Sequence, residues 1–239
     1  MCATYPEAVP ADVLHTTVLD ALGRRITGGD LREGSVLTLD AISQEFGVSR
    51  TVAREVMRLL EGYGLVRPRR RVGLVVLPMS AWQVLSPTVI GWRLQGDGRV
   101  DQLRSLTELR HAVEPLAAAG AARHATDEQR AELVAVAARL RALGDAGEGD
   151  HAEFLAADVA MHELLLCASG NELFGALSGV VAAVLSGRTS LGLMPASPHP
   201  VALDAHEAVA RAVAAGDAEG ARRAMAVVVD EVQQALDAV

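Results

Sequence analysis

In "VLHTTVLDALGRRIT" (13–27) apolar residues fall at 14, 18, 22 and 26, one per helical turn. That period marks an amphipathic first helix, which the Gly pair at 28–29 ends. "LREGSVLTLDAISQEFG" (31–47) predicts a short extended piece and a second helix, with Asp40 as its N-cap and Gly47 as its stop. A third helix follows in "VSRTVAREVMRLLEGYG" (48–64). Val52, Val56 and Leu59 are placed inward there, and Arg50, Arg54 and Arg58 outward. In "LVRPRRRVGLVVLP" (65–78) two apolar, β-branched runs flank a basic tip containing Gly73, the pattern of a β-hairpin.

Residues 79–100 carry both tryptophans, Trp82 and Trp92, with a short helix expected at about 87–94; they read as a linker docking one domain on the other, or as two core anchors. From 101 onward the period is helical, with helices expected at about 101–123, 127–143, 150–168, 171–186, 200–215 and 218–238. Thr126 with Gln129 forms a capping box, Gly170 and Gly216 read as stops, Asp217 as the last cap, and Asn171 as a cap rather than a ligand contact. The fold class is mainly α: an N-terminal winged helix-turn-helix with a small β-hairpin wing (13–78), a linker (79–100) and an antiparallel bundle of about six helices (101–239).

Composition adjusts this reading in three places. No Lys is present, so the 22 basic residues are all Arg, a mark of coding bias that weakens any single arginine as evidence. The net charge of −8 argues against nucleic acid, but it is unevenly spread. Residues 1–78 hold 10 Arg against 9 acids, and 79–239 hold 12 against 21. Within 48–71 seven arginines face two acids, so a positive field is local to the third helix and wing. Finally, the N-terminus has no secretory pattern and no apolar run reaches the roughly 18 residues of a membrane span. Two cysteines make no disulfide framework, and Cys167 is expected in the core. A cytoplasmic protein with no membrane partner is expected.

Three helices and a wing place the third helix in the major groove of DNA. Arg50 and Arg54 have the spacing to reach phosphate or a guanine edge, and Ser49 and Thr51 supply short hydroxyls. Arg69, Arg70 and Arg71, with Gly73 at the turn, can meet the backbone or minor groove.

The stretch "GSVLTLDAISQEFGVSRTVAREVMRLLEGYGLVRPRRRVGLVV" (34–76) resembles the winged-helix domain of GntR-type bacterial transcription regulators. "ELRHAVEP" (108–115), "DVAMHELLLCASGN" (158–171) and "HEAVARAVAAGDAEGARRAM" (206–225) are similar to the FadR-type C-terminal effector domain. "WQVLSPTVIGWRL" (82–94) resembles the branch containing galactonate and gluconate repressors. The resemblance implies a homodimer on operator DNA and a bundle that binds a small carboxylate, often with a divalent metal. Its Asp and three His ligands map onto Asp158, His162 and His206, with the fourth position near Val228, which cannot ligate.

By spacing, Asp158 and His162 share a helix face, as a clamp for zinc, nickel, iron or manganese requires; they equally suit a polar pair in a metal-free pocket. A sugar acid such as gluconate could chelate an incompletely ligated metal. Arg110 is expected to meet its carboxylate or to pair with Glu114, and Arg188 is a further candidate. From another class, Asp158, His162 and His206 could hold a Lewis-acid metal in an enzyme, although no nucleophile motif or phosphate loop accompanies them.

Overall fold

The computed structural model describes residues 11–237, with side chains over 15–231. Its contacts divide into one unit ending at Gly98 and a second beginning at Arg99.

The first unit runs α1 (Ala11–Thr27), β1 (Val36–Leu37), α2 (Leu39–Phe46), α3 (Arg50–Gly62), β2 (Val66–Arg69), β3 (Gly73–Val76), a 3-10 turn (Met79–Ala81) and α4 (Pro87–Leu94). Val18, Leu22 and Ile26, the expected apolar face of α1, are buried with Ile42, Val56 and Leu60; the side chain of Leu14 lies outside those described. Each fully buried Leu or Ile contributes roughly 1.5–3 kcal/mol, so this small core is the main support of the unit.

Thr38, not Asp40, caps α2: its side chain accepts from the Ala41 amide at 3.2 Å, and Asp40 sits in the first turn, where its charge favours the helix dipole. Gly47 ends the helix in the left-handed region, as expected. The buried face of α3 is Ala53, Val56 and Leu60, one step round from expectation; Val52 and Leu59 flank it half-buried.

The wing is larger than a hairpin, because β1 pairs with β3 on the edge opposite β2. Gly73 lies at φ 126°, and a Cβ there would strike the Leu37 carbonyl of β1. Its glycine identity therefore follows from strand packing.

Both tryptophans belong to this unit. Trp92 donates from Nε1 to Asp20 Oδ1 of α1 at 2.9 Å, and its ring fills the space a Cβ on Gly23 would need. Trp82 donates to the Leu77 carbonyl at 3.0 Å.

The second unit is a bundle of α5 (Arg99–His124), α6 (Asp127–Asp145), α7 (Ala152–Ala168), α8 (Glu172–Gly175), α9 (Ser178–Ser190), α10 (Pro200–Ala215) and α11 (Ala218–Asp237). The long α5 packs against α7, α9, α10 and α11. Thr126 and Gln129 make the full capping box of α6, and Gly216 ends α10. Asp217 receives the Gly220 amide, and Asn171 caps α8.

Three expectations fail here. The helix expected over 171–186 breaks at Ala176–Leu177 into α8 and α9. The stretch Glu172–Ser190 does have the length and mean hydropathy of a membrane span by composition alone, contrary to the reading above. Its Val181 and Leu185 pack against Ala117 of α5 and Leu166 of α7, the setting of a bundle helix. Cys167 is exposed: Asp158, Met161, His162 and Leu165 set the buried face of α7, and position 167 turns away from it.

Candidate functional site

In the first unit, Ser49 is the N-cap of α3 and accepts from the Val52 amide at 3.3 Å, which leaves its hydroxyl hydrogen free to donate. Thr51 is exposed one residue inside the helix. Arg50 pairs with Asp40 at 3.0 Å and Arg58 with Glu55 at 2.9 Å. Arg54 makes no ion pair among the described residues and lies exposed between them. Arg69, Arg70 and Arg71 are all exposed at the wing tip, where Val72 closes a turn onto the Arg69 carbonyl at 3.0 Å. Arg71 is left-handed at φ 61°, a strained setting for a residue with a Cβ.

In the bundle, five elements converge on one cavity. Its lining includes Arg110 (α5), Asp158 and His162 (α7), Arg188 (α9), His206 (α10), and Val228 and Glu231 (α11); the empty space, open mouth included, is about 440 Å³. Phe154, Leu203 and the 191–199 loop residues Met194, Pro195 and Pro198 supply apolar walls. That loop is pinned by the Gly149 amide, which donates to the Ala196 carbonyl at 2.7 Å.

Arg110, Asp158, His162, Arg188 and His206, the ligand-site candidates of the bundle, all line this cavity. Arg110 donates from Nε to Glu114 Oε1 at 2.6 Å and from Nη2 to Oε2 at 3.2 Å, so the expected Glu114 salt bridge forms. Its Nη1 is nevertheless buried without a partner. Burial alone would raise the Glu114 carboxyl, but the Arg110 and His162 charges hold it at about 2.

His162 Nδ1 lies 2.8 Å from Glu114 Oε2, close enough to pair electrostatically though off the hydrogen-bond axis. Burial opposes a charge on this imidazole, yet Glu114 and Asp158 together raise it to about 9. Those carboxylates favour the charged imidazole, while Arg110, whose Nη2 lies 3.4 Å from His162 Nε2, disfavours it.

Asp158 Oδ1 stands 3.4 Å from His162 Nε2 and 3.4 Å from His206 Nε2, and makes no hydrogen bond. Burial works against ionised Asp158, but the two histidines hold it well below the carboxylate range. His206 Nδ1 lies 2.7 Å from the Ala202 carbonyl, which can only accept, so the proton belongs on Nδ1. His206 Nε2 then faces the Asp158 carboxylate oxygen, both buried without a hydrogen-bond partner, and a cation or a proton between them would satisfy both.

The donor set fits a metal. The three ligand atoms lie within 4.8 Å of one another, and ligands about 2.1 Å from an ion stand roughly 3.0–3.4 Å apart. The Ala202 carbonyl behind His206 and Glu114 behind His162 stand where they would orient the two imidazoles toward a bound ion. Val228 lines the cavity and brings no ligand atom.

The sequence reading missed Glu231 and the 191–199 loop. Glu231 lies one turn from Val228, and that spacing was its only available signal.

Comparison with known proteins decides the family. Residues 14–76 match the model "Bacterial regulatory proteins, gntR family", and 105–231 match the FCD domain. The chain belongs to the GntR family of bacterial transcription regulators. It carries an FCD effector domain and is not an enzyme, which removes the Lewis-acid catalytic reading of Asp158, His162 and His206. It is 30% identical over 212 residues to the galactonate operon transcriptional repressor of Escherichia coli (strain K12), covering 87% of this chain and 90% of that one. It is 28% identical over 213 residues to the uncharacterized HTH-type transcriptional regulator YieP of the same organism, covering 88% and 90%. Among solved structures, Streptococcus agalactiae GntR shares the fold with a TM-score of 0.50 at 22% identity, covering 92% of this chain and 99% of that one.

Proposed function

We propose that this regulator is a cytoplasmic homodimeric repressor whose operator affinity is set by a divalent metal and a small carboxylate effector, a sugar acid such as gluconate, in the FCD cavity. The observation that carries the reading is the convergence of unpaired buried groups, Asp158 Oδ1, His206 Nε2 and Arg110 Nη1, on that one cavity. The first two call for a cation and the third for an anion. Asp158, His162 and His206 hold the ion, whether zinc, nickel, iron or manganese, and the absence of a ligand atom at Val228 leaves it open to the effector. The bound ion supplies Lewis-acid attraction for a carboxylate and its 2-hydroxyl.

On the DNA side, Arg54 reads the major groove, with Arg50, Ser49 and Thr51 beside it. Arg69, Arg70 and Arg71 engage the backbone or minor groove at the wing, and Gly73 shapes that tip. The galactonate operon repressor at 30% identity supports both the repressor role and the sugar-acid class. Control requires that the effector bind the DNA-competent and incompetent arrangements with different affinity.

Metal analysis of purified protein, with fluorescence anisotropy on operator DNA with and without gluconate, tests the reading. About one metal per chain, together with an effector-dependent change in DNA affinity, is the expected result. Metal-free protein whose DNA affinity ignores every sugar acid would sink it.

A further inference from the structure

Arg188 and Arg110 differ in how they are occupied. Two of the three Arg110 guanidinium nitrogens are accounted for: Nε and Nη2 lie on Glu114, and only Nη1 is free. Arg188, at the last turn of α9, is 6% exposed, and its guanidinium forms no hydrogen bond or ion pair with any described residue. Burial, and then the neighbouring charge of Arg110, depress its pKa, with Asp158 and Glu231 offsetting this only in part. A guanidinium largely withdrawn from water, facing the cavity without a protein acceptor, is stabilised when an anion joins it there. Glu231 shows the converse: it lines the same cavity, feels the Arg188 charge, and pairs with no described residue. The remaining walls, Phe154, Met194, Leu203 and Val228, offer no side-chain hydrogen-bonding group of oxygen or nitrogen.

We propose that Arg188 and Glu231 together set the charge class of the ligand. Arg188 seats its single carboxylate, and Glu231 accepts from its hydroxyls and repels a second carboxylate. The cavity thus takes a polyhydroxy monocarboxylate and rejects the matching dicarboxylate. Charge counting agrees. With a divalent ion on Asp158, His162 and His206, the ion and two guanidiniums face the carboxylates of Glu114, Asp158 and Glu231. One positive charge is left over, which one ligand carboxylate neutralises. A second acid group would be uncompensated beside Glu231, and like charges brought together in a dry site are strongly disfavoured.

This inference rests on the carboxylate-effector reading above, and the test separates the two. Zinc-loaded full-length protein is titrated calorimetrically with gluconate and galactonate, and with glucarate and galactarate, their dicarboxylate counterparts. The expected result is that at least one monocarboxylate binds about tenfold or more tighter than its diacid. Glu231→Gln narrows that ratio by raising diacid affinity, and Arg188→Gln weakens the monocarboxylate about tenfold or more while retaining zinc. Glu231→Ser serves if the Gln variant melts early. A diacid that binds the unaltered protein as well as the monoacid overturns the charge selection and leaves the carboxylate effector standing. An unchanged ratio in Glu231→Gln, or unchanged gluconate and galactonate affinity in Arg188→Gln, overturns the corresponding residue role. If none of the four acids binds, both the inference and the effector reading fall.

Discussion

Arg110 and Glu114 form a two-point ion pair across one turn of α5, with Nε–Oε1 at 2.6 Å and both side chains essentially closed to solvent. Because one partner cannot be removed without stranding the other, Glu114→Ala should destabilise the protein by about 3–5 kcal/mol. Replacing both, as Arg110→Met with Glu114→Leu, should cost much less, since no lone charge is left in the core. Urea unfolding of the two variants against the parent measures this. A double variant as unstable as the single one would show that the pair contributes packing that apolar side chains cannot replace.

On the outer face of α3, the ion pairs rank the arginines. Arg54 is unpaired, whereas Arg58 is held by Glu55 and Arg50 by Asp40. Arg54→Ala should therefore weaken operator binding by about 1–3 kcal/mol, the range of a guanidinium on a guanine edge, and relax preference at that base. Arg58→Ala should change affinity far less. Anisotropy titrations at physiological salt decide it, and equal losses for both would mean that the helix presents a different edge to the groove.

At the wing, stability and function should move in opposite directions. Arg71 adopts φ 61°, where a residue with a Cβ is strained by roughly 1–2 kcal/mol, partly offset by the entropy glycine loses on folding. Arg71→Gly should thus leave stability unchanged or raise it by about 1 kcal/mol, while lowering DNA affinity and reducing the salt slope by about one. Thermal melting read beside salt-dependent DNA binding shows both. A variant that melts higher and binds DNA unchanged would remove Arg71 from the interface.

What could be read from the sequence divides along the range of the forces involved. The face Val18–Leu22–Ile26, the Thr126–Gln129 box and the Asp158/His162 pair are local: each follows from positions three or four apart on one helix. His206 lies on a different helix, and only family resemblance brought it to Asp158. The same limit hid Glu231 and Met194, whose place in the cavity depends on how α11 and the 191–199 loop pack. The Arg110–Glu114 salt bridge was signalled by its i,i+4 spacing, but nothing local shows that the Arg188 guanidinium on α9 faces the same cavity without a partner among the described residues. The Thr38 cap was missed for a different reason: Thr38 and Asp40 both suit a helix start, and backbone geometry chose between them.

Val228 marks where this chain departs from a four-ligand pattern, and the departure can be reversed. Its side chain is 3% exposed and lines the cavity shared by Asp158, His162 and His206, so a histidine there begins close to the ion. Val228→His should raise zinc affinity by about tenfold or more, because a fourth protein ligand completes a tetrahedral site. Without metal the same change should lower stability, since an imidazole joins the apolar cluster around Leu203 and Met225 with no partner for its ring nitrogens. Zinc should then restore more melting temperature to the variant than to the parent. The gain has a functional cost: a filled coordination position leaves less room for the effector's carboxylate and 2-hydroxyl, so gluconate should bind the zinc-loaded variant more weakly. Zinc competition titrations and gluconate calorimetry on both proteins measure the two effects. Tighter zinc with undiminished gluconate binding would show that the effector is held by Arg188 and Arg110 without direct help from the metal.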